Sequence, residues 1–328
     1  MVGRHLQGLN PVLSFASDNA RAVQKIIAAK SDNDTVLYND IMDRDNADAP
    51  GCDVYSFTSP CQSYSPAGAQ DGVQTAGGQL IFQPLLYVAA QKPTVVIGEN
   101  SPLLFSKFKD VAKLITTTLE GHGYVVQTKL LSTAHFGIPQ GRKRWYLAAI
   151  RKASLRQHLV GVDWWPTPYE YTLKLEDIIC PLPPGKWQVA PDPAVHNGLW
   201  HRNVMAAYKK ACNKGVNPFD TPLIIDFQAT EKFSYGKSGV SPTLTKCRCT
   251  TEGYWCSTKG GPLDFNEMSA LQGFCPSDIP LVPGVSRKQL QGCLGNAMSL
   301  NVVTALMPHL LYISMQITKA EFDACKEG

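Results

Sequence analysis

Residues 53–65 have the sequence DVYSFTSPCQSYS and predict a buried β-strand that carries one cysteine onto a loop. Val54 and Phe57 suit the interior of a sheet, and Pro60 ends the strand because proline cannot donate a hydrogen bond to a neighbouring strand. Ligands of α/β folds bind beyond the carboxyl ends of the strands, which is where Cys61 would lie. On this stretch alone, however, an inert buried thiol among ten cysteines is the favoured interpretation.

Two later runs also place polar side chains at the ends of apolar strands. Thr94–Asn100 predicts a second buried strand, and it ends in a carboxylate and an amide, Glu99 and Asn100. Phe136–Ile150 sets a pair of arginines at alternating positions before a third apolar strand. A carboxylate at the end of a strand is common in structural roles, and so is a ladder of arginines. Only their combination with the cysteine loop points to chemistry.

In this order and spacing, the runs resemble the cytosine-C5 methyltransferase family. That family carries a Pro-Cys-Gln nucleophile loop, a Glu-Asn-Val strand end and a Gln-x-Arg-x-Arg segment before a later strand. The matching residues here are Pro60–Gln62, Glu99–Ser101 and Gln140–Arg144, and Leu271–Phe274 and Gly295–Met298 resemble the last two motifs of the family. The resemblance covers most of residues 11–315 except a variable middle. It implies an α/β fold: a methyltransferase-type, Rossmann-like doubly wound sheet that ends in a β-hairpin, with a smaller irregular target-recognition domain.

The middle of the chain differs in composition from the rest. Paired tryptophans and many prolines between residues 160 and 200 indicate a domain boundary. We therefore predict a catalytic domain whose first part is residues 1–155, a target-recognition domain at 156–240 and a return segment at 241–328. The net charge is only +4, but Lys and Arg exceed Asp and Glu between Arg151 and Pro262. Such a local excess is typical of a surface that contacts a nucleic-acid backbone, although a solvated lysine-bearing surface explains it equally well.

Length and composition set broader limits. A chain of 328 residues can form one large α/β domain and a smaller one. No signal peptide is visible, and no apolar run reaches the roughly 18 residues needed to span a bilayer. The cysteine content predicts reduced thiols in an intracellular protein, whether in a nucleus or in a bacterial or viral-host cytoplasm. We predict no metal site, because the clustered cysteines (Cys247, Cys249, Cys256 and Cys275) lack the paired spacing of structural zinc sites.

The resemblance also implies a mechanism that acts on a cytosine extruded from a duplex. The thiolate of Cys61 would add to C6 of the base. Glu99 would protonate or hydrogen-bond N3, and Arg144 would hold O2. Arg142 would orient the loop or a phosphate, and Asn100 would order the cysteine loop. The other predicted substrate contacts are Ser59, Pro60, Gln62 and Gln140.

The cofactor implied by the resemblance is S-adenosyl-L-methionine. Asp18 ends a predicted strand, and an acid at such a position accepts hydrogen bonds from ribose hydroxyls. Alternatively, Asp18 caps the helix that follows, and the two roles are compatible. Asp40 ends the next predicted strand, where the family uses an acid for the adenine amino group. The other predicted cofactor contacts are Gly3, Asn19, Ile41, Pro60, Leu80, Asn296, Ala297 and Met298.

The first ten residues depart from the family pattern. The family opens with a strand that runs into a Phe-x-Gly-x-Gly-Gly turn, whereas here Gly3 matches the last glycine and residues 4–9 match the helix that follows. We therefore expect the first strand to be missing, because of truncation or because a second polypeptide supplies it. The predicted partner is double-stranded DNA, with RNA as an alternative and no membrane. Two further alternatives are the transfer-RNA branch of the family, whose Cys-Phe-Thr signature residues 232–235 partly match, and an incomplete binding subunit.

Overall fold

The computed structural model of the chain describes residues 9–66, 68–169, 172–231, 233–234 and 236–327. Its strands are β1 (Phe15–Ser17), β2 (Val36–Tyr38), β3 (Val54–Thr58), β4 (Val95–Asn100), β5 (Tyr124–Ser132), β6 (Lys143–Arg151), β7 (Ile224–Asp226), β8 (Tyr254–Cys256) and β9 (Gly261–Pro262). Its α-helices are α1 (Arg21–Ala28), α2 (Ala76–Gln79), α3 (Gln83–Gln91), α4 (Lys109–Gly121), α5 (Leu175–Ile178), α6 (Leu199–Cys212), α7 (Lys246–Thr250), α8 (Phe265–Leu271), α9 (Arg287–Asn296), α10 (Leu300–Ile313) and α11 (Lys319–Glu327).

The described residues form two compact units. Unit 1 comprises the described parts of Met1–Leu131, Lys143–Thr167 and Val303–Gly328, and unit 2 comprises those of Ser132–Arg142 and Pro168–Val302. Most of the predicted target-recognition segment, residues 156–240, falls in unit 2. Because compactness does not assign a function to a segment, the three predicted domains stay predictions.

The main sheet of unit 1 is mixed and has the strand order β3-β4-β6-β5. Strand β4 pairs in parallel with β3, where Thr58 lies opposite Glu99, and antiparallel with β6, where Glu99 lies opposite Tyr146. Every residue of β4 is buried, in agreement with its apolar sequence. Because β6 runs in the opposite direction, its first residues lie at the same edge of the sheet as the last residues of β3 and β4. The predicted catalytic residues lie at this edge.

Strands β1 and β2 form a separate parallel pair. Within the described ranges, no backbone hydrogen bond joins β1 to β3, and side chains make the connection instead. The ring of Phe15 stacks on that of Tyr55 with centroids 6.0 Å apart. The buried guanidinium of Arg44 donates to the Ser17 hydroxyl and to the Tyr55 hydroxyl. The predicted doubly wound sheet is thus present as two sheets in this part of the chain.

Two stretches of helix are interrupted. Helix α3 is preceded by α2 and a 3-10 turn over Leu80–Phe82. Asn296 ends α9, and Ala297 is extended with ψ 149°, so α10 begins only at Leu300. Gly3 and the helix predicted at residues 4–9 lie outside the described residues, apart from residue 9, which has no helical structure.

Unit 2 is built on the antiparallel sheet β7-β8-β9. Helix α6 contributes its buried face to the core, with Val204 and Tyr208 among the buried residues. The side-chain amide of Asn203 donates to the backbone carbonyls of Phe227 and Ala229, both at 2.8 Å, and so fixes α6 to the segment that follows β7. An apolar core and two buried hydrogen bonds therefore hold α6 in place.

A buried cation connects the turn between β8 and β9 to the start of α8. Lys259 Nζ lies 2.6 Å from Glu267 Oε2 and 3.2 Å from Asp264 Oδ2. Asp264 is the N-cap of α8, and Glu267 completes its capping box. Burial opposes the charge on Lys259, but the hydrogen bond and the charge of Glu267 hold its pKa above its ordinary value.

The described residues contain neither a membrane-spanning helix nor a cluster of metal-ligating side chains. No helix among them is both long enough and apolar enough to cross a bilayer. They also contain no group of three or more His, Cys, Asp or Glu side chains that could hold a metal ion. None of the ten cysteines forms a disulfide in the structure, and the reduced state of the thiols stays a prediction.

Candidate active site

Cys61 lies on a loop beyond the carboxyl end of β3, and the next strand holds that loop. The Asn100 side-chain Nδ2 donates to the Ser59 backbone carbonyl at 3.3 Å, and the Asn100 side-chain Oδ1 accepts from the Ser101 backbone amide at 2.7 Å. The carbonyl of Cys61 accepts from the Tyr64 amide at 2.9 Å, which closes a 3-10 turn over Gln62–Tyr64. The backbone on both sides of Cys61 is therefore fixed by hydrogen bonds.

The Ser59 hydroxyl is a buried polar atom at this loop, and it makes no hydrogen bond within the described residues. Buried polar atoms are nearly always satisfied, so one without a partner at a strand end marks a position for a ligand. Pro60 and Gln62, which the sequence also places in the substrate site, are exposed, and Cys61 is half-buried. The loop thus presents its side chains to a ligand outside the sheet.

The segment that follows the cysteine loop packs tightly against it. Tyr64 is fully buried, and its hydroxyl donates to the Gly78 carbonyl at 2.7 Å. Burial raises the pKa of Tyr64 to about 12. A Cβ atom on Gly78 would lie 1.8 Å from the Gly72 carbonyl oxygen, so no side chain fits there. The Ser63 and Thr75 hydroxyls share a hydrogen bond of 3.0 Å. These contacts had no signal in the sequence, because they depend on one close approach of backbone to backbone.

Glu99 and Arg144 form an ion pair at the same edge of the sheet. Arg144 Nε lies 3.0 Å from Glu99 Oε1, and the side chains are 16% and 7% exposed. Arg144 Nη1 also donates to the Lys143 carbonyl at 3.0 Å. Breaking a pair this buried leaves an uncompensated charge in a poorly solvated position, so the two side chains constrain each other. A carboxylate and a guanidinium in this arrangement can both form hydrogen bonds with one edge of a flat polar ligand.

Arg142 and Gln140 have internal hydrogen-bond partners in the structure, and their predicted roles toward a substrate stay predictions. Arg142 is 3% exposed, and its guanidinium donates to the carbonyls of Leu244 (2.9 Å), Gly295 (3.2 Å) and Ala297 (2.8 Å). Gln140 is fully buried and donates to the Leu271 carbonyl. A guanidinium that holds three carbonyls connects the return segment to the end of α9. Both side chains therefore contact backbone groups of unit 2.

The two acids predicted to contact the cofactor lie at the ends of adjacent parallel strands. Asp18 follows β1, and its Oδ1 accepts from the Ala20 amide at 2.8 Å just before α1. Asp40 follows β2, and its Oδ1 accepts from the Met42 amide at 3.0 Å. Asn19 Nδ2 donates to Asp40 Oδ2 at 3.4 Å. A cavity of about 220 Å³ between α1 and the strand pair opens beside Asp18. The acids therefore lie side by side, and each takes part in a local turn.

The other predicted cofactor contacts occupy varied positions. Ile41 and Leu80 are half-buried in 3-10 turns. Asn296 is exposed at the end of α9, and Ala297 and Met298 are half-buried after it. The carbonyl of Ala297 accepts from Arg142, so the Gly-Asn-Ala-Met motif has a structural partner that its sequence does not reveal.

The family model described as C-5 cytosine-specific DNA methylase matches residues 5–311. This chain belongs to that family. The family membership predicted from the five motifs is confirmed, and members of the family are methyltransferases.

Individual relatives match the chain over different lengths. Type II methyltransferase M.SsoII of Shigella sonnei is 27% identical over 274 residues, which are 83% of this chain and 67% of that protein. Type II methyltransferase M.NgoBV of Neisseria gonorrhoeae is 36% identical over 128 residues, which are 37% of this chain and 30% of that protein. The match thus spans two thirds of one relative and less than a third of the other.

A solved structure with the same fold is the Entamoeba histolytica methyltransferase EhMeth. It superposes on this chain with a TM-score of 0.62 and 17% sequence identity, and the match covers 94% of this chain and 93% of that one. At this identity the likeness concerns the fold alone. It confirms the predicted methyltransferase-type α/β fold.

Proposed function

We propose that this protein transfers a methyl group to C5 of a cytosine in DNA, with Cys61 as the nucleophile. The observation that carries the proposal is the buried ion pair of Glu99 and Arg144, which lies at the same edge of the main sheet as the cysteine loop. The family membership of the chain supports the reaction type. DNA as the substrate is an inference from the family.

The chemistry requires a covalent catalyst because C5 of cytosine is a poor nucleophile. Addition of the Cys61 thiolate to C6 forms an S–C6 bond and moves the electrons of the C5–C6 double bond toward C5 and N3. Glu99 forms hydrogen bonds with N3 and N4 of the base, and Arg144 donates a hydrogen bond to O2. Both side chains therefore stabilise the charge that develops on the ring. After methylation, a base removes the C5 proton, the S–C6 bond breaks and the ring recovers its double bond.

The residues of unit 1 fit S-adenosyl-L-methionine as the methyl donor. When bound, this cofactor supplies the methyl group as a sulfonium electrophile. Asp18 and Asp40 would accept hydrogen bonds from its ribose hydroxyls and adenine amino group, respectively. This fit is supported by the adjacency of the two strand ends and by the Asn19 amide between them.

The substrate base must leave its duplex to reach Cys61. A strand end on a protein surface cannot contact C6 inside a base stack, and extrusion of one nucleotide costs a few kcal/mol. The Ser59 hydroxyl, with no partner within the described residues, would offer one compensating hydrogen bond to the extruded nucleotide.

A further strand would complete the sheet of unit 1. The edges of β1 and β3 carry no strand among the described residues, and Ser56 and Thr58 of β3 are exposed. We propose that a strand from outside the described residues, in this polypeptide or in a second one, pairs with both edges. Titration of labelled S-adenosyl-L-methionine onto this chain tests the source of that strand, because binding at micromolar concentrations indicates that this polypeptide supplies it and a failure to bind indicates a second one.

The test of the proposed function is methyl transfer to matched DNA and RNA duplexes. The account predicts labelled methyl groups on DNA, and none with a Cys61→Ala variant. Transfer to RNA but not to DNA would support the transfer-RNA branch of the family instead. A chain that binds the cofactor and both duplexes but transfers nothing would contradict the proposal and favour a binding subunit.

A further inference from the structure

The side chain of Gln272 uses its full hydrogen-bonding capacity within unit 2. Gln272 directly follows α8 and is fully buried. Its Nε2 donates to the backbone carbonyl of Leu294 and, at 3.5 Å, to that of Ala297. Its Oε1 accepts from Gln140 Nε2 at 3.3 Å and from the Ser299 hydroxyl at 3.2 Å. Because a carboxamide has two donor hydrogens and two acceptor lone pairs, every bonding position of this side chain is filled.

Two hydroxyls extend this set of hydrogen bonds to another segment. The oxygens of Thr133 and Ser299 lie 2.7 Å apart, and both side chains are buried. Since Ser299 gives its single hydroxyl proton to Gln272, Thr133 is the donor between the two hydroxyls. Asn301 Nδ2 also donates to the Thr133 carbonyl, at 3.2 Å. The start of α10 is therefore joined to the beginning of segment 133–142.

These hydrogen bonds connect the two sets of ligand contacts that the sequence predicts within unit 2. Ala297 lies in Gly295–Met298, which carries three of the predicted cofactor contacts, and Gln140 and Arg142 are predicted on the substrate side. The Ala297 carbonyl accepts from Arg142 at 2.8 Å and from Gln272 at 3.5 Å. A displacement of either segment alone would therefore break hydrogen bonds to the other.

The burial of this set makes such a displacement unfavourable. Gln140, Gln272, Thr133 and Ser299 are each at most 1% exposed, so a group that loses its partner gains no water in exchange. A ligand that fixes one segment consequently fixes the other as well. The second ligand then meets a segment that is already ordered, and it loses less conformational freedom on binding.

We propose that Gln272 is a positioning residue that couples cofactor binding to nucleic-acid binding. The inference rests on the proposed function and gives a role to a residue whose side chain is buried away from the protein surface. Gln272 acts on the cofactor side through Ala297 and on the substrate side through Gln140. The coupling is reciprocal, because each ligand must raise the affinity for the other by the same factor.

The test measures this coupling in the full chain and in three variants. Gln272→Met keeps the length of the side chain but removes its four hydrogen bonds, and Ser299→Ala removes only those of the hydroxyl. Gln188→Met makes the first change at an exposed position of unit 2 and is the control. The probe is S-adenosyl-L-homocysteine, which lacks the transferable methyl group. Its dissociation constant is measured by calorimetry without DNA and with a saturating duplex from the methyl-transfer assay.

The ratio of the two dissociation constants is the coupling factor. The wild type and Gln188→Met are expected to bind the probe about fivefold or more tightly when the duplex is present. Gln272→Met is expected to reduce this factor to about 1–2, and Ser299→Ala should give an intermediate value. A variant that is merely less stable would show an unchanged or larger factor, because the duplex would also stabilise its folded state. The direction of the change thus separates coupling from stability.

A coupling factor in Gln272→Met that equals or exceeds that of the wild type would overturn the inference. A wild-type factor of 1 would also overturn it, because there would be no coupling for Gln272 to transmit. If Gln272→Met does not fold, Ser299→Ala decides: a reduced factor supports the inference and an unchanged one overturns it. None of these results affects the proposed function, which fails instead if the wild type binds both ligands and transfers no methyl group.

Discussion

Glu99 on β4 and Arg144 on β6 are joined by an ion pair of 3.0 Å, and both side chains are largely buried. Strand register explains the contact, because Glu99 lies opposite Tyr146 and Arg144 precedes Tyr146 by two residues, on the same side of β6. The pair thus brings together two residues that are 45 positions apart in the chain. Its charges are confined to the edge of the sheet where β3 delivers the cysteine loop.

The first prediction concerns this pair. We expect Glu99→Gln to lower kcat by about a hundredfold to a thousandfold, because the amide cannot hold Arg144 or bond N3 as the acid does. Arg144→Lys should also lose activity, since a lysine lacks the planar fork of donors. Steady-state methyl transfer measures both. The exposed neighbour Lys143 supplies the control, and a Lys143→Ala variant with the same loss as Arg144→Lys would contradict the assignment.

A second prediction separates the two arginines. Arg142→Met should lower the free energy of unfolding by about 3–5 kcal/mol, because three buried carbonyls lose a charged donor. The exposed Lys288→Met, also in unit 2, should leave it nearly unchanged. Urea denaturation gives the comparison. An Arg142→Met protein with wild-type stability but no activity would instead support the catalytic role that the sequence predicts for Arg142.

The third prediction uses two adjacent glycines of α2. Gly78→Ala should reduce kcat, because its new Cβ would collide with the Gly72 carbonyl and displace the segment that holds Tyr64. Gly77→Ala places its Cβ in open space and should have little effect. Kinetic assays together with thermal unfolding distinguish a displaced loop from a failed fold. Equal activities for the two variants would show that this packing does not support catalysis.

A fourth prediction concerns pH. The raised pKa of Lys259 means that its charge stabilises the folded state below the ordinary lysine pKa of about 10.4, and this stabilisation is lost as the pH rises through the higher folded pKa. Lys259→Met should lower the free energy of unfolding by about 3–5 kcal/mol at neutral pH, since Glu267 is then buried without a cation.

The paired change Lys259→Met/Glu267→Leu should recover much of that loss and remove this part of the alkaline pH dependence. Urea denaturation at neutral and alkaline pH measures both effects. If the single and double variants are equally unstable at neutral pH, the unpaired charge of Glu267 is not the cause of the lower free energy of unfolding.

Much of the main sheet was predictable from the sequence. Apolar runs of strand length marked β3, β4 and β6, and the polar residues at their ends marked the edge that carries Cys61 and Glu99. The hairpin of β5 and β6 was also expected, and the two strands are neighbours in the sheet. These features depend on local periodicity and on the order of motifs, which a sequence displays directly.

The partners of the two arginines were not predictable. Arg142 and Arg144 are two residues apart, a spacing that predicts the same face of a strand, but Arg142 lies just before β6 begins. One meets Glu99 and the other meets carbonyls more than a hundred residues later in the chain. Likewise, the buried cation Arg44 among Phe15, Tyr55 and Tyr87 carries no local signal, because its neighbours come from separate elements.

Covalent capture of the nucleophile tests the central claim most directly. A DNA duplex with 5-fluorocytosine at the target position cannot lose a proton from C5, so the enzyme stays bonded to C6 after methyl transfer. The account predicts a denaturation-resistant protein–DNA adduct for the wild type, with the mass increase located on the peptide that contains Cys61. Cys61→Ala should form none, and an adduct that persists in this variant, or that maps to another cysteine, would contradict the account.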